Sequence, residues 1–111
     1  STYDFSNNLI SNSFGNANLL IVQDETRTIC SDEQLGVIFD FTNSQGIPYP
    51  SFNVVISSET DSELIPSSTN KGTAFEITEN ETLNDSFTNL TSRTLKVVYF
   101  IRPINSNGIF N

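Results

Sequence analysis

The acidic residues are the side chains in this sequence that are best suited to take part in catalysis or metal binding. The 111-residue sequence contains thirteen Asp and Glu against five Lys and Arg, no His, and a single Cys at position 30. His is the commonest general base and transition-metal ligand, so a zinc site or a Cys–His nucleophile cannot be built from this chain. The five glycines are isolated and form no phosphate-binding loop. We therefore expect no enzymatic activity.

Calcium is the metal that the remaining oxygen ligands could bind. The candidate ligands are Asp24, Asp32, Glu59, Asp61 and Glu63, which lie in predicted turns. None of these acids fits the EF-hand template. Alternating acids in an extended segment are also typical of a solvated strand edge, where charge discourages pairing between molecules. We prefer the solvated-edge interpretation and predict no cofactor, with calcium as the alternative.

Two further side chains are candidate contact points. Tyr49 lies between Pro48 and Pro50, and a rigid, exposed ring there could stack on a sugar or a partner protein. The alternative, which we prefer, is that the ring covers the end of the core. Cys30 has no partner for an internal disulfide, and we predict a small buried apolar residue rather than a reactive thiol.

Short strands are the elements that must position these residues. The clearest runs from Leu95 to Arg102, where Leu95, Val97, Tyr99 and Ile101 share one face. Pro103 has no amide hydrogen, so this central strand should end there. Shorter strands are predicted at 19–22, 27–30, 35–41, 52–57, 64–65 and 74–78, with polar turns between them. No stretch has helical periodicity.

This spacing predicts an all-β chain, an immunoglobulin-like antiparallel β-sandwich of about seven strands. The length suits a single domain. Within it, residues 1–26 are expected to form a polar lead-in with room for one edge strand, and residues 27–111 the sandwich proper.

The charge distribution limits the partners of the chain. The formal net charge is −8, and the five basic residues are scattered, so nucleic acid is not an expected partner. No apolar run approaches the length of a membrane span, and no basic-then-apolar leader is present. We expect a segment of a longer protein that is secreted or displayed on a cell surface, where acidity favours solubility.

The chain resembles the PKD-like, immunoglobulin-like repeat domains of large bacterial cell-surface adhesins, including gliding-motility adhesins. The resemblance covers about residues 27–108 and leaves the first 26 residues outside it. The matching segments are Thr28–Ser31 with Leu35–Val37 at the start, and Phe87–Thr91, Val97–Pro103 and Asn107–Gly108 at the end. Asp32 replaces a usual Gly, no Trp is present, and Ile109 stands where a second Cys is common, so no disulfide is implied.

The resemblance implies a non-catalytic structural, spacer or interaction repeat, displayed extracellularly on a bacterial surface as one of several tandem repeats. The implied partners are neighbouring repeats of the same polypeptide and extracellular polysaccharide, without insertion into a membrane. The alternative is a carbohydrate-binding module of a secreted enzyme or surface protein, with Tyr49 as its ligand contact.

Overall fold

A computed structural model describes residues 1–9, 26–42 and 46–104. These residues contain strands and turns but no helix, so the all-β prediction is confirmed. The predicted strand at 19–22 and the calcium candidate Asp24 lie outside the described residues. In chain order the strands are β1 (Thr2–Leu9), β2 (Thr26–Cys30), β3 (Val37–Ile38), β4 (Ser51–Ile56), β5 (Ile65–Pro66), β6 (Ala74–Thr78), β7 (Thr82–Leu83), β8 (Phe87–Thr88) and β9 (Leu95–Ile104).

One five-stranded sheet dominates the structure, with the strand order β2-β1-β9-β4-β6. Strand β1 runs parallel to β9, whereas the other neighbours in this sheet are antiparallel. Two small antiparallel sheets, β3–β7 and β5–β8, accompany it. Buried side chains of the large sheet and of both small sheets form one hydrophobic core. This two-layer arrangement is consistent with a β-sandwich.

Strand β9 is the centre of that core, as its alternation predicts. Leu95, Val97, Tyr99 and Ile101 are each at most 1% exposed. The predicted end at Pro103 is wrong, because β9 continues to Ile104 and pairs with β4 to its last residue. The nitrogen of Pro103 points towards the β1 side of the strand, where the paired region already ends at Ile101. The missing N–H therefore removes no ladder hydrogen bond with β4.

The first nine residues supply an interior strand rather than an edge strand. Strand β1 lies between β2 and β9, and Tyr3 and Phe5 are fully buried. Their ring contacts are with Phe87 and Tyr99, respectively, at centroid distances of 5.6 Å in both cases. Two aromatic side chains two residues apart are the sequence signal for this strand.

The predicted strand at 35–41 has the expected burial but little pairing. Leu35, Val37 and Phe39 are buried, whereas only Val37 and Ile38 pair with β7. The glycine before this pair has a φ of +65°, so the backbone turns sharply just before the pairing region begins. The predicted strands at 27–30, 52–57 and 74–78 correspond closely to β2, β4 and β6.

Candidate functional site

The described acidic candidates lie in two places, Asp32 in the turn after β2 and the other three in the β4–β5 loop, and each accepts a hydrogen bond from within the chain. Asp32 follows β2 in the left-handed conformation, with a φ of 74°, and its carboxylate accepts a hydrogen bond from the Thr88 hydroxyl. Glu63 forms an exposed ion pair with Arg93. The described residues contain no group of three or more Asp, Glu, His or Cys arranged to hold a metal ion.

Asp61 and its neighbours complete the large sheet. Strand β4 ends at Ile56, opposite Tyr99, which leaves the first half of β9 without a strand on that side. The Ser57 N–H donates to the Val98 carbonyl at 2.7 Å. The Asp61 Oδ2 atom accepts from the Lys96 N–H at 2.8 Å, and the Asp61 N–H donates to the Lys96 carbonyl at 2.9 Å. This carboxylate therefore has a structural role as a substitute strand partner.

Glu59 is exposed in the same loop. Its Oε2 atom accepts a hydrogen bond from the Ser57 hydroxyl at 3.4 Å, and its N–H donates to that hydroxyl oxygen at 3.0 Å. This local turn accounts for its position without a metal ion.

Tyr49 is buried, so the interpretation of an exposed stacking ring is wrong. Only 2% of the residue is accessible, and its ring meets that of Phe52 edge-on at a centroid distance of 6.4 Å. The Tyr49 N–H donates to the Phe41 carbonyl at 3.1 Å, next to a bridge between Thr42 and Pro48. The turn directs the ring into the core, as the alternative interpretation predicts.

Cys30 is exposed, so the prediction of a buried thiol is also wrong. Side chains alternate between the two faces of a strand, and Ile29 occupies the inward position, with 6% of its surface accessible. The thiol therefore lies on the outer face of the large sheet, at the end of β2.

A buried carboxylate lies at the centre of the protein, between the two layers. Asp85 is 2% exposed; its Oδ2 atom accepts from the Tyr99 hydroxyl at 3.1 Å and its Oδ1 atom from the Lys71 N–H at 3.0 Å. Burial, and then the charge of Asp85, raises the pKa of Tyr99, which keeps this phenol a neutral donor. Neither side chain is accessible to a substrate, so the pair has a structural role.

A second buried polar group, Asn89, joins three segments of the chain. Its Nδ2 atom donates to the carbonyls of Thr2 at 2.7 Å and Arg93 at 2.6 Å. Its Oδ1 atom accepts from the N–H of Thr91 at 2.9 Å and from the Thr91 hydroxyl at 2.7 Å. The Asn89 N–H donates to the Ser31 hydroxyl at 2.8 Å. The side chain thus uses its full hydrogen-bonding capacity.

The sequence signal for the Asn89 cluster is its Asn-x-Thr turn. Asn and Thr side chains in this spacing commonly hydrogen-bond the backbone two residues further on. The same three residues also match the acceptor pattern for N-glycosylation. Because Asn89 is only 3% exposed, its amide is inaccessible to a glycosylating enzyme in the folded protein.

A cavity of about 350 Å³, here called the loop pocket, lies beside the β4–β5 loop. Its floor contains Ile56, Leu64 and Phe87, and its rim contains Asp61, Ser62 and Thr73. The Ser62 and Thr73 hydroxyls and the Oδ1 atom of Asp61 have no hydrogen-bond partner among the described residues. The pocket therefore combines apolar surface with hydroxyl and carboxylate oxygens that a ligand could use.

A comparison with known protein families, curated proteins and solved structures finds no match to this chain. Among the described residues, no helix has the length and apolar character needed to cross a membrane.

Proposed function

We propose that this chain is a non-catalytic structural repeat of a large bacterial surface adhesin, with an immunoglobulin-like, PKD-like arrangement of its strands. Its role is to space and display other parts of an exported polypeptide while transmitting tension between neighbouring repeats. The polar groups at the centre of the fold support this proposal, because Asp85 and Asn89 bind other parts of the chain.

The parallel contact between β1 and β9 is the observation that carries the proposal. The two strands pair over seven positions, from Tyr3 opposite Leu95 to Leu9 opposite Ile101. The chain enters β1 at one end of the sheet and leaves β9 at the other, along a molecule that measures 45 × 22 × 20 Å. Tension between the two chain ends therefore pulls the strands past each other. The hydrogen bonds between the two strands are roughly perpendicular to the direction of pulling. They therefore resist the tension together, instead of opening one at a time.

Single-molecule force spectroscopy tests this proposal, with the chain stretched between residues 1 and 111. The Ser31 N–H donates to the Ser1 carbonyl, so odd-numbered residues of β1 hydrogen-bond β2 and even-numbered residues face β9. Ser6→Pro should lower the rupture force, because it removes a hydrogen bond from the loaded β1–β9 ladder.

Thr28→Pro is the matched control. It places the same ring in a strand of the same sheet, but the Thr28 N–H faces away from β1. Its rupture force should stay close to that of the unmodified chain. Equal rupture forces for the two proline variants would contradict a β1–β9 ladder that resists the tension.

A second candidate function, carbohydrate binding, is favoured by the loop pocket. Sugars present an apolar ring face together with hydroxyls at the ring edge, which the floor and rim of this pocket would complement. Its volume of about 350 Å³ lies at the lower end of the range for small-molecule sites. Binding at this pocket would make the chain a sugar-binding module instead of a spacer.

A glycan array, followed by calorimetric titration of any neutral mono- or disaccharide that binds, tests this second function. Binding should be lost in Asp61→Asn combined with Thr73→Val, and retained in Tyr49→Phe, because Tyr49 is buried outside the pocket. The absence of binding to any glycan would leave the structural role as the only candidate. Binding that survives the double substitution would place the sugar outside the loop pocket.

A further inference from the structure

The large sheet has two outer edges, formed by β2 and β6. An outer edge presents backbone N–H and C=O groups that can pair with another strand. The hydrogen bond from the Ser31 N–H to the Ser1 carbonyl, at 2.8 Å, determines which residues of β2 face outwards. Since hydrogen-bonded pairs alternate along an antiparallel ladder, residues 27 and 29 bond β1, and residues 26, 28 and 30 face outwards.

The edge formed by β6 is protected. The N–H of Glu79 donates to the Pro50 carbonyl at 2.9 Å, so residues 74, 76 and 78 face outwards by the same alternation. Glu81 covers the last of these, because its Oε1 atom accepts the Thr78 N–H at 3.1 Å and its own N–H donates to the Thr78 carbonyl at 3.1 Å. The Lys71 Nζ atom forms an ion pair with the Glu81 Oε2 atom at 2.9 Å, and Glu76 places a negative charge on the edge. Charged and capped edges discourage strand addition.

Among the residues that the structure describes, none protects the edge formed by β2 in this way. Its outward-facing residues are Thr26, Thr28 and Cys30, which are uncharged and exposed. The outward N–H groups of these three residues and the carbonyls of Thr26 and Thr28 have no hydrogen-bond partner among the described residues. The Cys30 carbonyl accepts from the Glu33 N–H at 3.0 Å. Within the described part of the chain, five backbone groups along this strand are therefore available for pairing.

We propose that the β2 edge is a docking site for an extended peptide strand of another protein, and that this strand carries a basic residue where it passes the turn after β2. The partner would add to the large sheet as a sixth strand, with main-chain hydrogen bonds supplying affinity. This inference concerns binding at an edge and does not depend on the response of the chain to tension.

Charge identifies the chemistry of the partner. Asp32 and Glu33 are exposed in the turn that ends the edge, and the chain carries a net charge of −8. The Arg27 guanidinium donates to the Leu35 carbonyl at 3.3 Å, so it is directed towards its own chain. A basic strand is attracted by this field, whereas a second copy, also at −8, is repelled.

Space for the side chains of the partner is also present. A cleft of about 480 Å³ lies over β1 and β2, and its lining includes Thr26, Thr28, Ser6 and Lys96. Alternate side chains of an added strand would project from the sheet on this face. The β2 side of the cleft consists of Thr26, Arg27 and Thr28, and the two threonine hydroxyls suit polar side chains such as Thr and Ser in the partner.

The experiment uses the full chain and two fluorescein-labelled ten-residue peptides of alternating Thr and Val, one with Lys at both ends and one with Glu at both ends. Fluorescence anisotropy should show saturable binding of the Lys peptide and binding of the Glu peptide at least about tenfold weaker. Amide NMR shifts on binding should be largest for Thr26, Thr28 and Cys30.

Two proline variants locate the site. Thr28→Pro removes an outward N–H and should weaken binding of the Lys peptide at least about tenfold, while the β1–β2 ladder stays intact. Glu76→Pro makes the same change on the β6 edge and should leave binding unchanged. Circular dichroism verifies that both variants fold.

Three results would overturn the proposal. Equal binding of the Lys and Glu peptides would refute the charge argument, and equal binding to both proline variants would place the contact elsewhere. A concentration-dependent dimer in light scattering that Thr28→Pro converts to a monomer would show that a second copy of the chain occupies the edge instead.

Discussion

The substitution Asn89→Ala should destabilise the protein by more than the small number of atoms that it removes would suggest. Asn89→Ala removes four side-chain hydrogen bonds, one to the start of β1 and three within the β8–β9 turn. At about 1 kcal/mol net per hydrogen bond, the upper limit for the loss of unfolding free energy is about 4 kcal/mol. The Arg93 partner is exposed and can bind water after the substitution, so we expect about 3 kcal/mol, a large fraction of the 5–15 kcal/mol typical of a domain.

Urea denaturation followed by circular dichroism measures this loss, which should appear as a lower midpoint at an unchanged slope. In a thermal melt the same loss corresponds to a decrease of roughly 10–15 °C in Tm. Asn84→Ala is the matched control, because Asn84 is exposed and should change stability by less than about 0.5 kcal/mol.

Asn89→Asp separates hydrogen bonding from packing. The carboxylate has the size of the amide but no donors at neutral pH, and it would face the carbonyl oxygens of Thr2 and Arg93. We expect a loss at least as large as that of the alanine variant. The reasoning is refuted if Asn89→Ala and Asn84→Ala unfold at the same urea concentration.

Two further predictions concern titration and reactivity. Burial raises the pKa of Tyr3 to about 12 and also raises the pKa of Tyr99. Because ionisation is harder in the folded state, the contribution of these two tyrosines to the free energy of unfolding should be constant below about pH 10 and fall between about pH 10 and 12. Tyr3→Phe should reduce that fall in urea titrations at pH 9 and 11.5, and an identical fall in the variant would contradict this assignment. Cys30, being exposed, should react with a thiol reagent in the native protein as fast as in urea, and labelling that requires urea would show that the thiol is protected.

Side-chain alternation allowed the centre of the fold to be predicted, because burial on one face of a strand is a local property. The inward residues of β9 were identified in this way, as were Phe52, Val54 and Ile77 in β4 and β6. The direction in which a turn points its side chains depends on contacts with residues outside the turn. Tyr49 lies between two prolines, yet a hydrogen bond from its N–H to Phe41 decides that the ring points inwards.

Pairing between distant strands could not be predicted from local patterns. Nothing near Thr2–Leu9 indicates that this strand lies beside β9 and not at an edge, since its partner begins about ninety residues later. The polar groups at the centre of the protein depend on equally distant partners, as with the bond from Asn89 to the Thr2 carbonyl. Cys30 points outwards because side chains alternate along β2 and Ile29, its neighbour, is the one that points into the core.

The contact between β1 and β9 also has consequences for the order of folding. Tyr3 lies opposite Leu95, so β1 leaves the ribosome well before β9, and the ladder between them cannot close until β9 has been synthesised. Chains dominated by such distant pairings fold slowly, in milliseconds to seconds. Until then β1, an interior strand of the finished sheet, has one or both edges unpaired, and β9 lacks its parallel neighbour. A chain in this state exposes unpaired strand edges, so pairing between molecules competes with folding.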